Sequence, residues 1–212
     1  AIYGKTRLIP GSGVNLSENT LEPYPEADAG VRFLFIGRVM RNKGVMELLD
    51  AMARVRERHP DASLTVVGEP EGGYEDRLRA LDAGGHLRYL GYRRDIHDQI
   101  ASAHCLVLPT YHEGMSNVLL EAAAAGRPVI ASRIPGCEEA FDEGVSGLGC
   151  EPKDTVSLLS AMERFIALSN AERAEMGRRG RLKMEREFDR GLVVGAYLEE
   201  IDRIREELEH HE

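Results

Sequence analysis

The sequence has little cysteine, and its three cysteines form no pattern that binds metal or builds disulfides. Cys105, Cys137 and Cys150 are odd in number, and none of them belongs to a CxxC motif. Neither a disulfide framework nor a zinc site is therefore indicated. The histidines form no HExxH or HxH pattern either. We expect a protein of the reducing cytoplasm.

The sequence also lacks an excess of positive charge and any long apolar run. It has 27 Lys and Arg against 36 Asp and Glu, a formal net charge of −9, which argues against a general surface for nucleic acid or anionic membranes. A local basic pocket is compatible with this charge. No uninterrupted apolar stretch approaches the roughly 20 residues that a membrane span needs. With 42% hydrophobic residues, the chain should fold around a substantial core.

Boundaries between domains are not evident in the chain. No linker, composition shift or internal repeat divides its 212 residues, so we expect one domain over residues 1–212. The sequence begins at Ala1 without an initiating Met, a signal peptide or a targeting segment. We therefore expect a fragment of a longer protein.

Short runs rich in β-branched residues alternate with longer amphipathic segments. Strands are predicted at residues 7–9, 31–36, 63–67, 87–90, 105–108, 129–131 and 147–150. Helices are predicted at residues 44–59, 75–82, 96–101, 118–126, 155–168, 171–187 and 192–207. Almost continuously apolar strands should be buried on both faces, and their alternation with helices predicts parallel pairing with right-handed crossovers. The predicted fold is α/β, a doubly wound, Rossmann-like parallel sheet.

Polar, glycine-containing segments follow the predicted strands. They are residues 37–38, 68–69, 91–92, 110–117 and 132–136. Ligands of doubly wound sheets bind over the carboxyl ends of the strands. We therefore expect these segments to form one contiguous rim that carries the functional site.

Three cations lie close together after the strand predicted at 31–36. Gly37 permits a sharp turn there, and Arg38, Arg41 and Lys43 follow it. One interpretation is a clamp on a diphosphate, in which arginine binds two oxygens and both residue types neutralise a departing phosphate. The other is a solvated helix start whose cations pair with nearby acids. Taken alone, the motif favours the second interpretation.

Glu113 and Glu121 stand eight residues apart in a segment that predicts a strand, a turn and a helix. Carboxylates accept hydrogen bonds from vicinal sugar hydroxyls, and the N–H groups at a helix start attract anions. Gly114 permits close approach of a ligand, and Ser116 or Asn117 can cap the helix. Each glutamate alone is more simply a surface charge. However, Glu121 belongs to an otherwise apolar helix, where a charge without a ligand is unfavourable.

Several motifs occur together in this chain. They are Gly37-Arg38 with Lys43-Gly44, Leu90-Gly91-Tyr92, Leu108-Pro109-Thr110, the E-x7-E pair Glu113 and Glu121, and residues 126–131 and 134–139. In this combination the chain resembles the carboxyl-terminal domain of glycosyltransferase family 4, whose members are retaining enzymes of the GT-B fold. The resemblance extends over nearly all residues, from 8–14 to the last predicted helix. It implies that the chain is one half of a GT-B fold.

The resemblance also implies a nucleotide-sugar donor lying across the rim. By the family pattern, Arg38 and Lys43 contact the diphosphate, Glu113 contacts sugar hydroxyls and Glu121 contacts the ribose, with Tyr92 beside the base. Arg38, Lys43 and Glu113 would be the catalytic residues. The donor-binding residues would be Arg38, Lys43, Tyr92, Glu113, Gly114, Met115, Ser116, Asn117, Val118 and Glu121. No cofactor or metal is implied, and the sequence contains no DxD motif.

The implied activity is transfer of a hexosyl or N-acetylhexosaminyl group, with retention, from a UDP-, GDP- or ADP-sugar to a glycan, lipid or other acceptor. Assembly of bacterial cell-surface polysaccharide is the expected setting, in the cytoplasm and at the inner face of its membrane. The acceptor, and any peripheral membrane contact, would belong to an absent amino-terminal domain. The isolated domain would then be inactive alone.

Two other classes of function are compatible with these motifs. One is a non-catalytic module that binds a nucleotide sugar or another protein, although the retention of Arg38, Lys43, Glu113 and Glu121 argues against it. The other is an epimerase or phosphorylase of the GT-B fold, which shares the same layout. Nucleic acid is not an expected partner of any of these.

Overall fold

The computed structural model describes residues 13–26 and 30–209, with the side chains of the last helix described as far as residue 205. The strand predicted at residues 7–9 lies outside the described residues. The same is true of most of the family motif at residues 8–14. Everything else that the sequence places in the candidate site falls within them.

A six-stranded parallel sheet forms the centre of the protein. Its strands are β1 (Arg32–Ile36), β2 (Ser63–Val67), β3 (Arg88–Tyr89), β4 (Cys105–Leu108), β5 (Val129–Ser132) and β6 (Gly147–Cys150). Their spatial order is β3-β2-β1-β4-β5-β6, so the predicted doubly wound, Rossmann-like sheet is confirmed. The strand predicted at 87–90 is shorter than expected, because only Arg88 and Tyr89 have register partners in β2. Leu90 N still donates to the carbonyl oxygen of Val66 at 3.0 Å.

Helices follow the strands as the sequence predicts. They are α1 (Val45–Arg58), α2 (Tyr74–Ala83), α3 (Ile96–Ser102), α4 (Asn117–Ala124), α5 (Thr155–Ala167), α6 (Asn170–Lys183) and α7 (Arg190–Glu209). Right-handed crossovers place α1 and α2 on one face of the sheet, and α3 and α4 on the other. The helix predicted at 171–187 differs at its end, because Met184–Phe188 forms a π-helical turn. This turn separates α6 from α7.

The core occupies both faces of the sheet. In β1, Phe33, Leu34 and Phe35 are at most 1% exposed although they point alternately to opposite faces. The ring of Phe33 packs against Phe165 of α5, with 6.1 Å between ring centroids. Full burial of such a side chain contributes about 1.5–3 kcal/mol. The central strands therefore provide a rigid base for the loops at their carboxyl ends.

Arg127 ties the segment before β1 to the rest of the domain. Its guanidinium is buried, with 1% of the residue exposed. It donates to carbonyl oxygens of Glu22 and Pro23, and to those of Ile100 and Ala101 at the end of α3. Burial lowers the pKa of Arg127 to about 10, where it still carries its charge at neutral pH. The segment around Glu22 and Pro23 is thus held against α3 by a buried cation.

Helix α7 has an apolar side that is half exposed. Val193 is buried, but a stripe of larger side chains beyond it is 45–56% exposed. The stripe consists of Val194, Tyr197, Leu198, Ile201 and Ile204. Its spacing is the one expected for a helix that packs one face against a partner. Over the part of the chain that the structure describes, no helix is long and apolar enough to cross a membrane.

Candidate functional site

The strand order reverses its direction between β1 and β4. From β1 the chain proceeds to β2 and β3 on one side, whereas from β4 it proceeds to β5 and β6 on the other. The loops after β1 and β4 therefore leave the sheet in opposite directions and open a crevice between them. The loop after β1 carries Arg38 and Lys43, and the loop after β4 carries Glu113. Lys43 and Glu113 meet at this crevice.

Lys43 and Glu113 form an ion pair across the crevice. Lys43 Nζ donates to Glu113 Oε1, and the two side chains are 19% and 15% exposed. The main chain holds the two loops together beside them, because Tyr111 N and Thr110 Oγ1 both donate to the carbonyl oxygen of Asn42, at 2.8 and 3.1 Å. Gly44 permits this approach. The pair is therefore mostly shielded from water and set by backbone geometry.

Gly136, in the loop after β5, supports the Glu113 loop from the other side. Its φ is +86°, and a Cβ at this position would lie 2.5 Å from the carbonyl oxygen of Gly114 and 2.7 Å from that of Glu113. The carbonyl oxygen of Gly136 accepts a 3.0 Å hydrogen bond from Ser116 N. A residue with a side chain would be strained here and would also push the Glu113 loop away.

Glu121 lies in the second turn of α4, as the sequence predicts. Its side chain is partly buried, and burial raises the pKa of Glu121 above its usual value, although the charge of Arg190 lowers it somewhat. Among the described residues, nothing donates a hydrogen bond to its carboxylate. A desolvated carboxylate without a donor is unfavourable unless a ligand supplies one.

The start of α4 differs from expectation in its capping. Ser116 is the N-cap residue, but within the described structure its side chain makes no cap hydrogen bond. Its N–H group is engaged with Gly136, whereas no acceptor within the described ranges takes the N–H groups of Gly114, Met115 or Val118. These groups stand at the positive end of the helix dipole, where they can bind an anion.

Arg38 lies in a more open part of the rim, where it pairs with Glu71. Arg38 Nη1 and Glu71 Oε1 are 3.0 Å apart, and the side chains are 65% and 45% exposed. The backbone of Val39 connects the two loops by a hydrogen bond to Glu69 and another from Glu71, at 2.7 and 2.9 Å. Exposed pairs of this kind contribute little to stability. Arg38 is therefore free to change partners at small cost.

A cavity of about 620 Å³ opens beside Arg38, over the ends of β1 to β3. Its lining residues are Ile36, Gly37, Arg38, Val67, Gly68, Glu69, Tyr92, Arg93, Arg94 and Ile96. Tyr92 is 65% exposed. Arg93 makes two hydrogen bonds to Asp95, both of 2.7 Å, and this partner lowers the pKa of Asp95 to about 2. The cavity thus combines an apolar floor with an exposed, mainly basic entrance.

Arg41 does not share the environment of Arg38 and Lys43, although the three are close in sequence. It lies near Tyr111, whose hydroxyl donates to Glu47 Oε1 at 2.7 Å. Burial, followed by this hydrogen bond, raises the pKa of Tyr111 to about 12, and the charge of Arg41 opposes the rise. The second interpretation of the cation cluster, pairing with nearby acids, thus describes the arrangement of Arg38 and Lys43 in this structure.

Sequence reasoning missed two contributors to this rim. Glu71, the partner of Arg38, lies in the segment Glu69-Pro70-Glu71-Gly72-Gly73, whose glycines and position after a strand were the available signal. Arg94, at the cavity entrance, had no signal beyond its charge. Among the described residues, no group of three His, Cys, Asp or Glu side chains is arranged to hold a metal ion. The expectation of a metal-independent site stays a prediction.

Taken together, the strand order 3-2-1-4-5-6 and the polar crevice at its switch point define a Rossmann-like domain of the kind that makes up half of a GT-B fold. Residues 30–167 match the family model described as "Glycosyl transferases group 1". That match covers more than half of the chain, so this chain belongs to group 1 of the glycosyl transferases.

Several proteins similar to this chain are about twice as long. Glycogen synthase of Mycobacterium tuberculosis is 34% identical over 173 residues, which make up 77% of this chain and 40% of that enzyme. Sucrose-phosphate synthase from Thermosynechococcus elongatus has 27% identity and a TM-score of 0.77, over 98% of this chain and 53% of that one. HepE of Anabaena, solved with UDP-glucose, has 20% identity and a TM-score of 0.78, over 93% and 57%. The chain thus spans about half of their length.

Proposed function

We propose that this chain is the carboxyl-terminal, donor-binding domain of a retaining glycosyltransferase of family 4. The observation that carries the proposal is the meeting of Lys43 and Glu113 at the switch point of the sheet. It is joined by the carboxylate of Glu121 in the second turn of α4, which accepts no hydrogen bond from the described residues. One cation for phosphate and two carboxylates for hydroxyl groups are the functional groups that an elongated sugar nucleotide requires. Sugar, diphosphate and ribose follow one another in such a ligand.

The proposed placement follows the rim. Sugar hydroxyls would donate to Glu113, the ribose hydroxyls to Glu121, and the base would enter the cavity beside Tyr92. The diphosphate would lie between them, against Lys43 and Arg38. The N–H groups of Gly114, Met115 and Val118 support the same placement, because they stand at a helix start. The solved HepE complex contains UDP-glucose, which supports a uridine donor among the three bases considered.

The proposed chemistry requires stabilisation of a leaving group. The bond between the anomeric carbon and the diphosphate oxygen breaks, and the acceptor oxygen bonds to that carbon from the same face, so that configuration is retained. The proton of the acceptor hydroxyl passes to the departing diphosphate. Negative charge develops on the departing nucleoside diphosphate. Arg38, Lys43 and the helix dipole of α4 can stabilise it, and stabilisation of charge that appears in the transition state accelerates the reaction.

The acceptor side of the enzyme would come from an amino-terminal domain. Because the chain spans about half of its relatives, we propose that the exposed apolar stripe on α7 packs against that domain. The donor-binding domain alone would then bind its ligand weakly and catalyse little. The acceptor would be a glycan or lipid of bacterial cell-surface polysaccharide assembly, reached in the cytoplasm at the inner face of the membrane through the amino-terminal domain.

A titration tests binding by this chain. UDP, GDP and ADP are added at millimolar concentration, and backbone amide signals of the chain are followed by NMR. We expect one nucleotide to shift signals around Arg38, Lys43 and Glu121. No shift with any of the three would reject the proposal. In the full-length protein, release of nucleoside diphosphate coupled to glycosylation of an acceptor separates transfer from isomerisation and phosphorolysis.

A further inference from the structure

Two ion pairs join cations of the rim to carboxylates, and they differ in burial. The pair between Lys43 and Glu113 is 19% and 15% exposed, whereas the pair between Arg38 and Glu71 is 65% and 45% exposed. Charges interact more strongly where water is excluded, and leaving one buried charge without its partner is strongly unfavourable. A ligand that replaces Glu113 as the partner of Lys43 must therefore supply a new hydrogen-bond donor to the Glu113 carboxylate.

The structure assigns to the Lys43–Glu113 pair a role in distinguishing a nucleotide sugar from the free nucleoside diphosphate. This inference rests on the proposed function, in which phosphate binds Lys43 and the sugar binds Glu113. A nucleotide sugar supplies both replacement contacts. Its diphosphate takes the ammonium group of Lys43, and its hydroxyl groups donate to the carboxylate of Glu113.

A free nucleoside diphosphate supplies only one of these contacts. It takes Lys43 but leaves Glu113 shielded from water and without a donor. In addition, its terminal phosphate carries about −1.5 to −2 charges at neutral pH, and this charge would lie close to the Glu113 carboxylate. Repulsion between the two makes binding less favourable. The pair thus disfavours the nucleotide that remains after the sugar has been transferred.

The surrounding backbone keeps Glu113 from avoiding this repulsion. Gly136 contacts the carbonyl groups of Glu113 and Gly114 so closely that its position admits no Cβ. Hydrogen bonds from Tyr111 and Thr110 to Asn42 fix the distance to the Lys43 loop. A carboxylate on such a support cannot move away with its loop. The exposed Glu71 can turn into solvent when Arg38 changes partner.

The test compares pairs of ligands that differ only in the sugar. Calorimetric titration of this chain with UDP and UDP-glucose, ADP and ADP-glucose, and GDP and GDP-glucose identifies the base that the unaltered chain prefers. The quantity of interest is selectivity, the dissociation constant of the nucleoside diphosphate divided by that of its sugar derivative. Failure of the unaltered chain to bind any of the six would reject the proposed function and this inference with it.

Substitutions then separate the inference from the proposed function. Glu113→Gln removes the carboxylate charge, so selectivity should fall about tenfold or more, because the diphosphate binds more tightly and the sugar nucleotide less tightly. Lys43→Met should raise selectivity, because Glu113 then faces the terminal phosphate without a cation. Glu71→Gln, the matched control at the exposed pair, should change selectivity by less than about twofold.

Two outcomes would overturn the inference while the proposed function stands. One is that the unaltered chain binds its ligands, but Glu113→Gln loses affinity for the nucleoside diphosphate and for its sugar derivative equally. The other is a shift of selectivity in the same direction for Glu113→Gln and Lys43→Met. Circular dichroism and urea unfolding of each variant show whether it is folded. Glu113→Gln and Lys43→Met change opposite partners of the same ion pair. If one of them does not fold, the selectivity of the other still tests the inference.

Discussion

The two halves of the rim are built in different ways. The β4 half contains the Lys43–Glu113 pair and Gly136, where backbone groups touch and the paired side chains are mostly buried. The β2 half contains the Arg38–Glu71 pair and the cavity of about 620 Å³, where side chains are exposed. Close packing fixes the position of a charged group, whereas an open site lets it adapt. The β4 half is thus suited to recognising a ligand by its precise shape. The β2 half is suited to binding a flat ring, such as a nucleotide base, through backbone groups.

The largest effect should come from filling the space at Gly136. We expect Gly136→Ala to lower the free energy of unfolding by about 3 kcal/mol, because left-handed backbone strain adds to a collision with the Glu113 loop. Gly73 in the β2 half is the matched control, since its φ is +83° and no described atom lies within 4 Å of an added Cβ. Gly73→Ala should cost about 1 kcal/mol. Urea unfolding measures both.

Equal costs for the two glycine variants would contradict the description of the β4 half as closely packed. The same experiment has a functional readout. Gly136→Ala should also lose affinity for the sugar nucleotide that binds the unaltered chain, because the Glu113 loop is displaced. Gly73→Ala should retain that affinity to within about threefold, a change of less than 1 kcal/mol.

The next effect compares the two cations. Lys43→Met should weaken binding of the sugar nucleotide about 100-fold, because it removes a shielded phosphate contact and leaves Glu113 without a cation. Arg38→Met should weaken it by about tenfold or less, since solvent and salt screen a charge in the open half. Calorimetric titration at two salt concentrations measures both losses. A greater loss of affinity in Arg38→Met than in Lys43→Met would contradict the view that the β4 half holds the phosphate more tightly than the β2 half.

Glu121 should show opposite effects on binding and on stability. Burial raises the pKa of Glu121 above its usual value of 4.5. In the pH window between the usual and the raised pKa, the folded chain therefore binds a proton at Glu121 more readily than the unfolded chain does. Stability from this group is therefore lost as pH rises through the window. Glu121→Gln should unfold at higher urea concentration than the unaltered chain at pH 7, but not at pH 4. It should weaken nucleotide binding about tenfold.

Glu71→Gln serves as the control for Glu121, because Glu71 is 45% exposed and lies in the β2 half. Its stability should stay within about 0.5 kcal/mol of the unaltered chain at both pH values. Unchanged nucleotide affinity in Glu121→Gln would reject the assignment of Glu121 to the ribose. A lower urea midpoint for that variant at pH 7 would show that the carboxylate has a stabilising partner.

The smallest effect should come from Tyr92. Its side chain is 65% exposed at the cavity entrance, so Tyr92→Ala should weaken nucleotide binding about three- to fivefold through lost ring contact, without changing the urea midpoint. Fluorescence competition with a labelled nucleotide can resolve such a change. A loss as large as that of Lys43→Met would show that the open half recognises its ligand as strictly as the β4 half.

The difference between the halves also explains what could be predicted from the sequence. The strands were predictable because β1 and β4 are apolar on both faces. The switch point was not, because it depends on the spatial order β3-β2-β1-β4-β5-β6 of the strands in the sheet. Glu121 stood out because a charge in the apolar segment 118–125 requires a reason. These are properties of a residue and its sequence neighbours, which a pattern can express.

The pairing of the site residues could not be read from the sequence. Lys43 and Glu113 are separated by 70 residues, and their contact depends on how closely two loops approach after β1 and β4. The role of Gly136 depends on a third loop. Glu71 was missed because its function arises from Arg38, which is in a different segment. Such contacts are set by tertiary packing, and a local pattern carries no information about them.

The central claim is that a nucleotide sugar occupies both halves, with its sugar at Glu113. Hydrogen–deuterium exchange of this chain, alone and with UDP or UDP-glucose, tests it most directly. If titration shows that the chain prefers ADP or GDP, that nucleotide and its glucose derivative are used instead. Both ligands should slow exchange at residues 37–44 and 91–94 and, through their phosphates, at residues 113–118. At residues 113–118 the sugar nucleotide should slow exchange more than the nucleoside diphosphate does, because only its sugar contacts Glu113. Equal protection of residues 113–118 by both ligands, or none by either, would contradict the account.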